Sequence, residues 1–210
     1  MQLPSGPTEM RGGRGRGVFC GGETPSKVNT LDKIEIATTG NAVDFGDLTT
    51  GHSDGGRAQS KTRGLIAGGR GPDASTKLNV IDFITMSTLG NGADFGDLTL
   101  GRNEMAADSN AVRGIFAGGN NSGAQNRIDS ITIATLANAI DFGDIATAST
   151  ESRGSASPTR FVFAHGTESG NVTNISYVQI MTTGNSIDFG DVTQARGQAA
   201  GVSNGHGGLG

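Results

Sequence analysis

Short runs in which apolar and polar residues alternate recur along this chain: Ile34-Glu35-Ile36, Ile84-Thr85-Met86, Ile131-Thr132-Ile133 and Val178-Gln179-Ile180. Alternation with a period of two, in β-branched residues, is the mark of a half-buried strand. Ahead of each run stands a second apolar stretch, opened by an arginine: Arg16-Gly17-Val18-Phe19, Arg63-Gly64-Leu65-Ile66, Arg113-Gly114-Ile115-Phe116 and the variant Arg160-Phe161-Val162-Phe163. A double glycine closes it at Gly21-Gly22, Gly68-Gly69 and Gly118-Gly119, and His165-Gly166 stands in the fourth position. After the alternating run come Gly40-Asn41, Gly90-Asn91, Ala137-Asn138 and Gly184-Asn185, residues that tolerate the positive φ of tight hairpins and so predict a turn. A third strand then carries Asp-Phe-Gly-Asp, and a small-residue segment such as Met105-Ala106-Ala107-Asp108-Ser109 leads back to the next arginine as a fourth. No window shows a capped apolar stripe with a period of 3.6, so almost no helix is expected.

Asp-Phe-Gly-Asp begins at Asp44, Asp94, Asp141 and Asp188, which sets the repeat intervals at 50, 47 and 47 residues. A fixed period of this size means one supersecondary unit copied along the chain, as in solenoids, propellers and arrays. One four-stranded antiparallel sheet cannot cover both of its faces, so each must stack against its copies. Radial stacking leaves only short, protected edges. The fold class expected is therefore all-β: a four-bladed β-propeller whose repeats have four antiparallel strands each. The period assigns residues 1–15 to an N-terminal segment or extra strand, 16–207 to the four-repeat domain and 208–210 to a stub of a further repeat. By the same phase Gln198–Asn204 is a further copy of the small-residue strand, and Gly6–Gly15 holds that phase ahead of the first arginine. One of the two is surplus. Closure of the ring by the C-terminal strand is the preferred arrangement, and donation to a neighbouring subunit, giving an oligomeric assembly, is the alternative.

The strand ending in a double glycine, Gly64-Leu65-Ile66-Ala67-Gly68-Gly69, resembles kelch-type repeats. The paired Tyr and Trp usual in that family are absent, since the chain has no Trp and one Tyr; Phe45, Phe95, Phe142 and Phe189 are expected to fill the space. The segments Thr39–Thr49, Leu89–Thr99 and Thr183–Thr193 are similar to glycine-rich tandem repeats of virion structural and tail-associated proteins of tailed bacteriophages. That resemblance implies location in a virion, with other virion subunits or copies of itself as partners, surface polysaccharide as a further one, and no enzymatic activity. The alternatives are a carbohydrate-active enzyme of propeller fold and a subunit of an extracellular filament assembled by strand exchange.

Composition narrows the choice. Glycine makes up 36 of 210 residues without a Gly-X-Y period, which excludes collagen and assigns the glycines to turns, bulges and close backbone approach. A net charge of −4 with scattered Lys and Arg offers no groove for a phosphate backbone, so nucleic acid is not an expected partner; only Arg11, Arg14 and Arg16 cluster. No stretch approaches the roughly 20 apolar residues of a membrane span. Met1–Pro7 contains no apolar signal core, so secretion is not encoded in the chain as given. Cys20 is the single cysteine, so no intrachain disulfide forms.

Asp-Phe-Gly matches the metal-binding tripeptide of kinases, but it recurs four times with no phosphate loop or catalytic loop beside it. Asp44, Asp47, Asp94, Asp97, Asp141, Asp144, Asp188 and Asp191 are the candidate metal ligands, paired carboxylates that could begin a calcium site with nearby carbonyls. Asp before Phe-Gly is equally a turn or bulge device, and that structural reading is preferred, with no other cofactor expected. His52, His165 and His206 stand at non-equivalent phases and suggest no shared metal. The segments of variable length, Glu23–Asn29, Arg70–Asn79, Asn120–Asn126 and Thr167–Asn174, separate the same two strands in each unit and should share one face. Thr24, Lys27, Asp73, Lys77, Asn120, Asn121, Glu168 and Asn171 are their candidate ligand-binding residues, suited to sugar hydroxyls.

Overall fold

The fold is seen in a computed structural model that describes residues 15–73 and 75–204. Fifteen strands run in order: β1 (Arg16–Glu23), β2 (Lys27–Glu35), β3 (Val43–Asp47), β4 (Gly56–Gln59), β5 (Arg63–Ala67), β6 (Val80–Thr85), β7 (Ala93–Asp97), β8 (Ala106–Ser109), β9 (Arg113–Ala117), β10 (Gln125–Thr132), β11 (Ile140–Ser149), β12 (Arg153–Ala156), β13 (Arg160–Ala164), β14 (Asn174–Gln179) and β15 (Ile187–Asp191). No helix occurs among the described residues. The strands form four antiparallel meanders: β1-β2-β3, then β4 to β7, β8 to β11, and β12 to β15. Each sheet is one repeat, and the sheets follow one another in chain order, a propeller-like all-β arrangement.

Pairing repeats with the sequence. Leu31 faces Gly46, Ile81 faces Gly96, Ile128 faces Gly143 and Ile175 faces Gly190. In every sheet the register then shifts by one residue, because the Asp-Phe-Gly segment carries an extra residue as a β-bulge. The alternating apolar residues divide between the two faces of a sheet. Leu65, Ala67, Ile81, Phe95 and Leu98 look toward the third sheet and meet Phe116, Ile131 and Ile133 from its near face. Ile115, Ala117, Ile128, Phe142 and Ile145 repeat this toward Phe161, Phe163, Val178 and Ile180 of the fourth. Leu31, Phe45 and Leu48, with half-buried Val18 and Cys20, do so toward Ile66 and Ile84 of the second. The core is thus three sheet junctions built to one plan.

The short strands β4, β8 and β12 lie side by side on the inside of the arc. Ser109 Oγ accepts from Gln59 N at 2.9 Å and donates to Gln59 O at 2.7 Å, and Asp108 Oδ2 accepts from Ala156 N at 2.8 Å. The first sheet shows three strands, since the segment predicted for its inner strand falls almost wholly outside the described residues. Residues 198–204, predicted as a further inner strand, pair with no strand. In the other repeats such a strand pairs with the arginine-led strand that follows it, and that phase begins at Gly207, outside the described residues, as does His206. The segment is held instead by Gln198, which donates through N and Nε2 to Glu151.

Gly-Asn does not form the tip of a tight hairpin, contrary to expectation. Residues 86–92 make a longer connection between β6 and β7, with Thr88 N turning back onto Thr85 O, which frees the Gly-Asn pair to reach the neighbouring sheet.

Candidate functional site

The two recurrent motifs meet each other across every sheet junction. Gly90 N donates to Phe45 O at 2.9 Å and Gly92 N to Asp47 O at 2.8 Å, while Asn91 Oδ1 accepts from Asp47 N at 3.1 Å. The connection of each repeat thereby pairs with the outer strand of the repeat before it and covers its edge. Asn138 Oδ1 with Asp97 N (3.0 Å) and Asn185 Oδ1 with Asp144 N (3.0 Å) do the same at the next two junctions. Glycine is obligatory in the motif: a Cβ at Gly46, Gly96 or Gly143 would lie 2.5–2.6 Å from backbone atoms of Gly90, Ala137 or Gly184. Its φ of 143–148° at these positions adds a second bar to side chains.

The leading arginine also reaches across. Arg16, Arg63 and Arg113 donate through Nη1 to the carbonyls of Met86, Ile133 and Ile180 at 2.6, 2.8 and 3.0 Å. A carboxylate completes the joint: Asp82 accepts from Thr49 N (2.9 Å) and Oγ1 (2.7 Å), and Asp129 from Thr99 N (3.1 Å) and Oγ1 (2.6 Å). Asp129 also binds Arg102, both wholly buried, at 2.9 Å, and Arg102 Nη2 donates to Phe116 O at 3.2 Å. Burial pulls the Arg102 pKa below its ordinary value, and the Asp129 charge opposes that pull.

Five of the eight candidate metal-ligating carboxylates make hydrogen bonds of their own. Asp44, Asp94, Asp141 and Asp188 each accept, through Oδ1, the N–H of the glycine two residues on, at 3.0–3.3 Å. Asp47, Asp97 and Asp144 use their backbone in the junction, and Asp191 Oδ1 accepts from Thr173 Oγ1 at 2.7 Å. Among the described residues no three His, Cys, Asp or Glu side chains gather as a metal would require.

The variable segments leave the same end of each sheet. Arg70, Asn120 and Thr167 bridge back to Ser53, Asn103 and Thr150 on the links between outer and inner strands. Most candidate binding residues are engaged within their own loops. Thr24 N and Oγ1 donate to Ser26 O; Lys27 pairs with Glu23 at 2.5 Å; the backbone of Lys77 bridges Arg70; Asn120 Oδ1 accepts from Gly123 N; and Asn171 Oδ1 accepts from Thr167 Oγ1. Asp73 accepts from the Thr76 hydroxyl (2.6 Å) and N–H (2.7 Å), which hold its carboxyl below the usual range. The Asn121 side chain reaches a neighbouring link, donating to Gly101 O at 2.6 Å. Glu168 Oε1 lies 3.4 Å from His165 Nδ1. No protein-family model and no curated protein matches this chain.

Two features escaped the sequence reading. Asp54, Glu104, Glu151 and Gln198 hold φ of 55–59° at one repeat phase, at the entrance to the inner strands. They tie neighbouring links together: Glu104 N donates to Asp54 O, Thr150 Oγ1 to Glu104, and Arg70 to Asp54. Their common distance of nine positions ahead of the arginine phase, as from Asp54 to Arg63, was the available signal. The second is the burial of His165, whose place in the double glycine was legible but whose partners were not: it stacks on Phe163 at 5.4 Å with Nε2 2.9 Å from Ser176 Oγ. Burial lowers its pKa, against the opposing pull of Glu168. Burial lowers that of His52 as well and raises that of the Cys20 thiol.

Proposed function

We propose that this protein is a non-enzymatic structural and adhesive element: a kelch-like propeller of four blades, carried in a tailed-phage virion or tail, that works by protein contacts and by recognising surface polysaccharide. The observation that carries the reading is the use of the recurrent residues. The second aspartate of Asp-Phe-Gly-Asp, the asparagine of Gly-Asn and the first three leading arginines spend hydrogen bonds on joining one sheet to the next, so the repeated sequence serves the framework. A rigid framework presenting loops of variable length from one end suits recognition. Thr24, Asp73, Asn120, Asn121 and Asn171 offer the hydroxyl, carboxylate and amide groups that sugar hydroxyls pair with. No helix among the described residues is long and apolar enough to cross a membrane.

The test is an array of bacterial surface polysaccharides probed with the purified chain and read for both retention and released product. Retention without release is expected. Release of cleaved sugar overturns the reading in favour of a carbohydrate-active enzyme.

A further inference from the structure

The three internal junctions show what a forward face and a backward face need in order to join, and the chain carries one unused copy of each. On the forward face of the fourth sheet Phe189 is 52% exposed, whereas its counterparts Phe45, Phe95 and Phe142 are each 3% exposed. On the backward face of the first sheet Phe19 is 63% exposed, against 2% for Ile66, 0% for Phe116 and 1% for Phe163. The polar devices are duplicated too. Gly190 has open space where Gly46, Gly96 and Gly143 meet backbone. Arg160 stands at the phase of the arginines that cross junctions, lying over Tyr177 at 4.7 Å; its acceptor by phase is the Ile36 carbonyl. Thr193 and Arg196 repeat the phases of Thr99 and Arg102, and Asp32 repeats that of Asp129.

We infer that the forward face of the fourth sheet docks on the backward face of the first sheet of a second copy of this chain. The joint repeats the internal one: Phe189 enters beneath Phe19 and Ile36, the Gly40-Asn41 turn covers the β15 edge, and Arg196 and Thr193 close on Asp32. Complementary charge and continuity with the internal junctions identify the occupant, and within a single chain the two faces stay exposed. The contact is heterologous, so copies join head to tail, as a ring if the rotation closes and as a filament if it does not. The inference rests on reading the chain as a structural element.

Sedimentation velocity of the full chain over about a hundredfold dilution tests it. Mass is expected to rise with concentration. Arg196→Glu and Asp32→Arg should each raise the half-assembly concentration by at least about tenfold, because each sets like charges against each other in the joint. Mixing the two variants should restore assembly, since every junction then pairs opposite charges; this rescue also shows that both variants fold. Gly190→Ala, with no in-chain neighbour, should stay folded and fail to assemble. A wild-type chain of single-chain mass at every concentration, or a mixture that fails to recover, overturns the inference. A monomer that still adheres to polysaccharide would overturn self-docking alone and leave the adhesive function standing.

Discussion

Replacing Asp129 by alanine should be the most damaging single loss of charge in this fold. The carboxylate holds Arg102, which has no exposed surface, and receives both hydrogen bonds from Thr99. Without it a guanidinium stays inside the second junction with only the Phe116 and Leu100 carbonyls as acceptors. Stranding a buried partner in this way costs roughly 3–5 kcal/mol. For a chain of this size that lowers Tm by about 6–20 °C. Asp82 supplies the internal control. It makes the same bonds to Thr49 at the first junction, but the position equivalent to Arg102 holds His52, whose pKa burial has lowered, so it is stranded without a charge. Thr49 is exposed and water can replace its partner, so Asp82→Ala should cost only about 1–2 kcal/mol. Arg102→Met in the Asp129→Ala background removes the stranded cation and should recover about half of the loss. Thermal and urea unfolding of the three variants measure this. Equal losses for Asp82→Ala and Asp129→Ala, or no recovery in the double variant, would refute the assignment of the cost to a stranded arginine.

Three further outcomes follow from the same geometry. Gly143→Ala puts a Cβ 2.5 Å from the Gly184 backbone at a φ of 148° and should destabilise by more than the roughly 1–3 kcal/mol of strain alone, whereas Gly190→Ala, with open space, should cost that strain only; paired urea curves measure the difference. His52 and His165 have lowered pKa values, so below their ordinary value near 6.5 the unfolded chain takes up protons that the folded chain resists. Stability should therefore fall as pH drops below about 6.5, by up to about 1.4 kcal/mol per pH unit for each histidine, and His165→Gln should flatten the slope seen in urea titrations from pH 7 to pH 5. Since the first carboxylate of each Asp-Phe-Gly-Asp is engaged in a turn, calcium or a chelator should leave Tm unchanged in calorimetry; a rise on adding calcium would restore the aspartates as ligands.

What the sequence disclosed and what it hid divide along the range of the interactions. The strands, their order within a repeat and the absence of helix among the described residues were readable because alternation and period are local signals, and β4 to β15 fall where the phase places them. The role of Gly-Asn was misread because a turn residue is judged by its own backbone, while this pair serves an outer strand more than 40 positions earlier in the chain, as from Asn91 back to Asp47. Asp44 was legible as a turn device, since its partner Gly46 is two residues away. Arg102 was not, because nothing beside it in the sequence calls for a buried cation; the reason stands on Asp129, on β10, the third strand after it.

The junction residues vary as units, and this explains how one plan survives its exceptions. Thr49 with Asp82 and Thr99 with Asp129 are followed, at the same phases, by Ala146 with Ser176: donor and acceptor are lost together. A buried aspartate kept without its threonine would strand a charge, and the cost of such a charge exceeds that of losing the pair. Ser176, relieved of that role, takes His165 as its partner instead, and the same repeat replaces the first glycine of its double glycine with that histidine. At the chain's two ends Thr193 and Asp32 are both retained, although neither meets the other within one molecule. By the rule the interior obeys, a donor and an acceptor kept together are kept for a junction, and the docking of one copy on another that we infer supplies that junction.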